Sequence, residues 1–184
     1  MKKLKFILPI FHILSIYFPY ILYALNYIFK NTFSHTSISI FLNENLLSIY
    51  ASLVIISLVL NFISTIYMYF NFKEDTNYFL NTALIMKVLS VIAFILNFGT
   101  WFFATLFIAL FTGPLSLLAL PLAITFTYIM MLPSSFYGIA AIKNVRNKKY
   151  INSAAFYIFC QFLFVLDVLS IIVLYINVKN KIKK

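Results

Sequence analysis

A polytopic, all-α bundle of transmembrane helices is the fold class this chain predicts, and three observations predict it. The 184 residues are 64% hydrophobic and only 10% charged, and mean hydropathy is +1.00. A soluble domain is nearer half apolar and a quarter charged. The apolar residues fall into long blocks that match or exceed the ~20 residues a helix needs to cross a bilayer. The basic residues cluster at the ends of those blocks, as membrane-flanking charges do.

Five spans are expected over about 6–29, 46–72, 83–112, 115–142 and 151–178, in a single domain covering 1–184. The first follows Lys2, Lys3 and Lys5 and carries Pro9, His12 and Pro19. Its apolar stretch is too long for a signal peptide and no small-x-small cleavage site follows, so it reads as an uncleaved span. A polar segment over 30–45, with His35 and Glu44, separates it from the second block, which holds Asn61. Lys73, Glu74, Asp75, Thr76 and Asn77 form a hydrophilic turn. The next 65 residues contain one charge, Lys87, and divide best at Gly113-Pro114, since Gly and Pro punctuate helices. Gly99-Thr100 is the competing break; using both gives six spans. Pro121 and Pro133 are expected to kink the fourth helix. The fifth block follows a basic loop of Lys143, Arg146, Lys148 and Lys149.

Five spans with a cytoplasmic N-terminus leave eight basic residues inside and five outside, Lys87 not counted, and strand the lysine tail on the outer side. The six-span alternative returns the same count. A net charge of +10 at span ends favours anionic lipid headgroups over nucleic acid as the partner. A multi-pass protein of the cell membrane is the expected setting.

Asp167 is the one acid in the fifth block, near its middle, where a carboxylate must be paired, hydrated or neutralised. On one continuous helix, Ser153, Cys160, Asp167 and Ser170 share a stripe, and on the third span Ala83, Ser90, Ala93, Asn97, Thr100 and Ala104 do the same. Such small and polar stripes face other helices. At ~1.5 Å per residue Asp167 is level with Asn97, Tyr23, Thr125, Thr127 and Tyr128, while Lys87 sits about 12 Å lower and snorkels to the inner surface. A polar site of Asp167, Asn97, Tyr23, Thr125 and Thr127 is therefore expected, without a direct Asp167–Lys87 salt bridge. Ser134, Gly138, Ser153 and Cys160 are the expected helix-packing positions, with Ser134-x-x-x-Gly138 as a small-x-x-x-small pair. Asn61 and Gln161 fall at similar depth as a candidate interhelical pair, and His12 reads as a hydrogen-bonded packing residue ahead of a proton relay.

Catalytic and metal chemistry have little to work with. Four acids, two histidines and the lone Cys160 supply neither paired carboxylates nor a thiol pair, and no Walker, His-Glu-x-x-His or Gly-x-Ser-x-Gly motif occurs. No enzyme, cofactor or metal is expected. A parallel internal repeat is suggested by Ser64-Thr65-Ile66-Tyr67 against Ser134-Ser135-Phe136-Tyr137, with Asn97 opposite Asp167.

The run from Phe136-Tyr137-Gly138-Ile139 to Lys149-Tyr150, followed by Gln161-Phe162 to Asp167-Val168, resembles small, uncharacterised multi-pass membrane proteins of AT-rich Gram-positive bacteria. That resemblance implies no activity and transfers no site residue. Two function classes are carried forward. One is a non-enzymatic accessory, partner-binding or immunity-type protein acting through helix contacts with a membrane protein or a second copy. The alternative is a transporter or channel subunit using the polar level around Asp167.

Overall fold

The computed structural model describes residues 6–28, 36–71, 76–113, 119–163 and 165–182, and contains seven helices and no strand among them. Helix α1 spans Ile7–Ile28, α2 Ser37–Glu44, α3 Leu46–Asn71, α4 Thr76–Thr112, α5 Ala119–Asn147, α6 Ala154–Cys160 and α7 Leu166–Ile182. Four of them, α1, α3, α4 and α5, are long and apolar enough to cross a membrane. The packing runs α1 on α3, α3 on α5 and α5 on α4, with α7 laid against α4 and α6 against α5.

Helix ends follow local chemistry. Pro9 and Pro121 fall in the first turns of α1 and α5, where a missing N–H costs no hydrogen bond, so Pro133 is the interior proline of α5. The kink expected at Pro121 is thereby corrected. Gly99 has no side chain to pack, yet α4 runs straight through it and stops at Gly113, whose φ of +77° suits glycine. α4 also begins at Thr76, ahead of the expected 83, and α5 continues past 142 to Asn147. Beyond Asn147 the chain turns in a Schellman arrangement: Lys149 N–H donates to Arg146 O at 2.8 Å and Tyr150 N–H to Val145 O at 3.0 Å. Lys149 takes a φ of 59° there, and Tyr150 packs on the cluster that contains Val145.

Part of the polar segment expected as loop is helix. Thr36 caps α2 through its hydroxyl, which accepts from Ser39 N–H at 3.1 Å. Asn26 ties α2 to the end of α1, accepting from Ser39 Oγ and donating to Asn43.

The largest departure lies in the fifth block. The single helix expected over 151–178 is instead two, broken after Cys160 although no Gly or Pro occurs in this stretch. The last turn of α6 tightens into i→i−3 bonds, and the chain then reverses. Its return is fixed by Lys181 Nζ, which donates to Tyr150 O at 2.7 Å, and by Val178 packing in one cluster with Val145 and Ala154. The reach up from Tyr150 through the non-helical 151–153 and α6 is about 20 Å, and the reach down α7 to Lys181 is about 23 Å, so the arms match. α6 and α7 form a helical hairpin with both ends beside the end of α5. This fold-back also parts the two halves of the suggested repeat: α4 is continuous where its counterpart turns.

Candidate polar site around the α5 kink

Pro133 organises the interior. A proline removes one helical hydrogen bond and crowds the preceding turn, so nearby carbonyls take partners from other groups. Ser134 Oγ donates to Met131 O at 2.8 Å, and Met130 O accepts from His12 Nε2 at 3.0 Å across to α1. Two buried polar groups flank this turn.

On one side stand His12, Ser57, Asn61 and Tyr137. His12 Nδ1 lies 2.8 Å from Ser57 Oγ, which is also 2.8 Å from Val54 O. Met130 O can only accept, so Nε2 carries a proton; Ser57 then donates either to Nδ1 or, if Nδ1 is protonated, to Val54 O. Asn61 donates to Leu8 O at 3.2 Å and accepts from the Tyr137 hydroxyl at 3.2 Å, joining α1, α3 and α5. His12 is thus a buried, hydrogen-bonded residue of the helix interface.

On the other side, the α6–α7 hairpin meets α4 and α5. Asp167 stands in the first turn of α7, where a carboxylate is favoured by the helix dipole. It forms an ion pair with Lys87 of α4, and both side chains are 1% exposed. Lys87 Nζ is 3.5 Å from Ser135 Oγ, and that hydroxyl lies 3.1 Å from Gln161 O at the hairpin turn. Gln161 Nε2 donates to Ser170 Oγ at 2.8 Å, bracing the two arms. A Cβ at Gly138 would overlap Gln161 Oε1 and come within 3.4 Å of Ile171 Cδ1, so glycine lets the hairpin seat against α5. Among the described residues, Asp167 Oδ1 and Ser90 Oγ, one turn along α4 from Lys87, are buried without a hydrogen-bond partner.

The salt bridge judged absent from depth is therefore present. An unbroken helix would carry Asp167 about 12 Å beyond Lys87; the reversal brings it down to the level of Lys87, about 16 Å along α4 from Thr76. Lys87 is fully buried and does not snorkel. Asn97 lies about 15 Å further along α4 and donates to Thr127 Oγ1 on α5 at 2.7 Å, a separate contact. The α4 stripe faces inward at Ala83, Ser90, Ala93 and Asn97, whereas Thr100 and Ala104 are exposed. Tyr23 is 74% exposed, and Thr125 is exposed and bonds its own helix at Pro121 O. The five-residue site is thus split: Asp167 is with Lys87, Asn97 with Thr127, and Tyr23 and Thr125 lie outside. Among the packing positions, Ser134, Gly138 and Cys160 are buried but Ser153 is exposed at the start of α6. Asn61 and Gln161 each bond between elements, though not to each other.

Lys87, Ser135 and Ser57 are the residues that sequence reasoning missed as members of these groups, whereas Ser170 was read on the same stripe as Asp167. One signal was available: an acid followed roughly three to four turns later by Lys179 and Lys181 is the charge pattern of a helix with its own start at Asp167. The N-terminal lysines, His35, Lys73 and Pro114 lie outside the described residues. Among the described residues no cluster of three or more His, Cys, Asp or Glu side chains gathers to hold a metal.

No curated protein and no solved structure matches this chain. A family profile does match, over residues 5–181, nearly the whole length. The chain belongs to the family of unknown function DUF6652.

Proposed function

We propose that this is a non-enzymatic integral membrane protein of the cell membrane that acts through helix contacts with another membrane protein. Its four long helices cross the bilayer, and α6–α7 is a re-entrant hairpin that enters and leaves on the side of the N-terminus. The charge distribution supports this topology in place of five or six spans. Twelve of the fourteen basic residues then flank one side, Lys30 the other, and Lys87 is internal. The tail no longer opposes the positive-inside rule.

The observation that carries the contact reading is the row of exposed apolar side chains along the last turns of α4. At 37 residues α4 is about 55 Å long, against about 33 Å for α1 and about 39 Å for α3, and the hydrocarbon core is ~30 Å. Past the Asn97–Thr127 bond it exposes Phe103, Phe107, Leu110 and Phe111, each more than 60% accessible. An apolar helix end that outreaches its neighbours is mismatched to the bilayer and is relieved by tilting or association. The interior pairs Lys87–Asp167, Asn97–Thr127, His12–Ser57 and Tyr137–Asn61, by contrast, join helix to helix, which favours contact over a translocation route.

Two measurements test this. A reporter fused after Lys184 is expected to mark the C-terminus on the cytoplasmic side, together with the N-terminus; an external tail would sink the re-entrant topology. A photo-crosslinking residue at Phe107 or Leu110 is expected to give a discrete protein adduct in membranes, while one at Ile92 gives none. Lipid adducts alone at both places would remove the contact reading.

A further inference from the structure

We propose that the groove between α3 and α5 is a binding site for one anionic phospholipid, with an acyl chain in the groove and the phosphate at Lys143 and Arg146. This rests on the membrane reading above. The groove holds about 370 Å³ of space. Phe62 and Phe136 close its inner end, their rings edge to face at 5.0 Å. Ile66 and Ile139 form the walls, and buried Ala140 contributes to the floor. Lys143 stands at the other end, its Nζ 6.0 Å from the centre of the Tyr69 ring.

The two ends are set by helix geometry. Phe62 is seven residues from Tyr69 on α3, and Phe136 seven residues from Lys143 on α5, so the apolar channel runs about 10 Å inward from the cation. Lys143 is level with the end of α5, where the basic loop and Tyr69 give the Tyr-and-Lys border typical of a headgroup boundary. Arg146 follows at i+3 on the same face, so two exposed cations flank one mouth. The other grooves along the helices differ. Those on the α1–α4 face and on the α4–α7 face are lined by apolar residues and Thr82, with no cation among them. Of the described acids, Asp167 is buried against Lys87 and Glu44 sits on α2 near the opposite end of the bundle. An apolar channel opening sideways from the bundle, ended by two cations at headgroup depth, matches an acyl chain carrying a phosphate better than a soluble anion, which would meet only the mouth.

The test is native mass spectrometry of the full-length chain in detergent, after exchange with equal amounts of phosphatidylglycerol and phosphatidylcholine. The wild type is expected to retain phosphatidylglycerol preferentially. Lys143→Gln or Arg146→Gln should each lower that preference about fivefold, and the pair about twenty-fivefold, since a basic residue at the surface contributes that much to anionic-lipid attraction. Ile139→Trp, which fills the channel, should reduce retention of both lipids. Lys179→Gln, on α7 away from the groove, should leave the preference unchanged. Equal loss from Lys179→Gln and Lys143→Gln would show diffuse basal charge and overturn the site, as would full retention in the Lys143/Arg146 double variant. A chain released from membranes by alkaline carbonate would instead remove the membrane reading itself, so the two failures are distinguishable.

Discussion

Lys87→Met is expected to destabilise the protein by about 3 kcal/mol or more, and Asp167→Leu by a similar amount, while the double variant recovers most of the loss. The reason is asymmetry. Breaking a buried ion pair strands one charge where water cannot reach it, at a cost of about 3–5 kcal/mol, whereas replacing both members by apolar residues of similar size is often near neutral. Lys87 and Asp167 are both 1% exposed, so solvent screening offers little relief. Thermal unfolding of the four proteins in one detergent gives the coupling energy directly. A large, favourable coupling is the expected result. Additive losses would mean that the two residues act independently. If the double variant folds as well as wild type yet loses a reconstituted proton or solute flux, the pair serves transport and the contact reading fails.

Gly138→Val is the second change with a large expected effect. Its side chain would enter the space held by Gln161 Oε1 and press on Ile171, and these are the contacts that seat the hairpin on α5. Overpacking of this kind costs typically 1–3 kcal/mol. Here it should act locally, lifting α6–α7 and loosening the Lys87–Asp167 pair while leaving α1, α3 and the Asn97–Thr127 bond in place. Labelling of Cys160 by a membrane-permeant maleimide reads this out, because the thiol is buried in the native hairpin. Faster labelling in Gly138→Val than in wild type is expected, with Gly138→Ala between them. Unchanged labelling in the valine variant would contradict the seating role of Gly138.

How far the site was legible differs from residue to residue. The α4 stripe could be read as far as Asn97, because helical phase holds along an unbroken helix and small residues repeat there at helical spacing. Thr127, named at the same depth on the next helix, proved to be its partner. His12 and Asn61 could be recognised as polar residues in need of partners, but their partners could not. Met130 O takes part beside the turn that Pro133 disturbs, and the Tyr137 hydroxyl reaches Asn61 only once α3 and α5 are packed.

The sequence by itself determined that this chain is helical, where the long apolar helices run and where its charge collects. Apolar blocks of this length leave the backbone no better solution than its own i→i−4 bonds, so hydropathy and helix length agree. Only the tertiary structure decided the fifth block. Nothing local breaks it, for it contains neither Gly nor Pro. The reversal after Cys160 is held from outside by Ser135 at Gln161 O, by the room that Gly138 leaves, and by Lys87 waiting for Asp167. Those groups belong to α4 and α5, 23 or more residues away along the chain. Their combined pull sets Asp167 opposite a lysine that simple depth had placed out of reach.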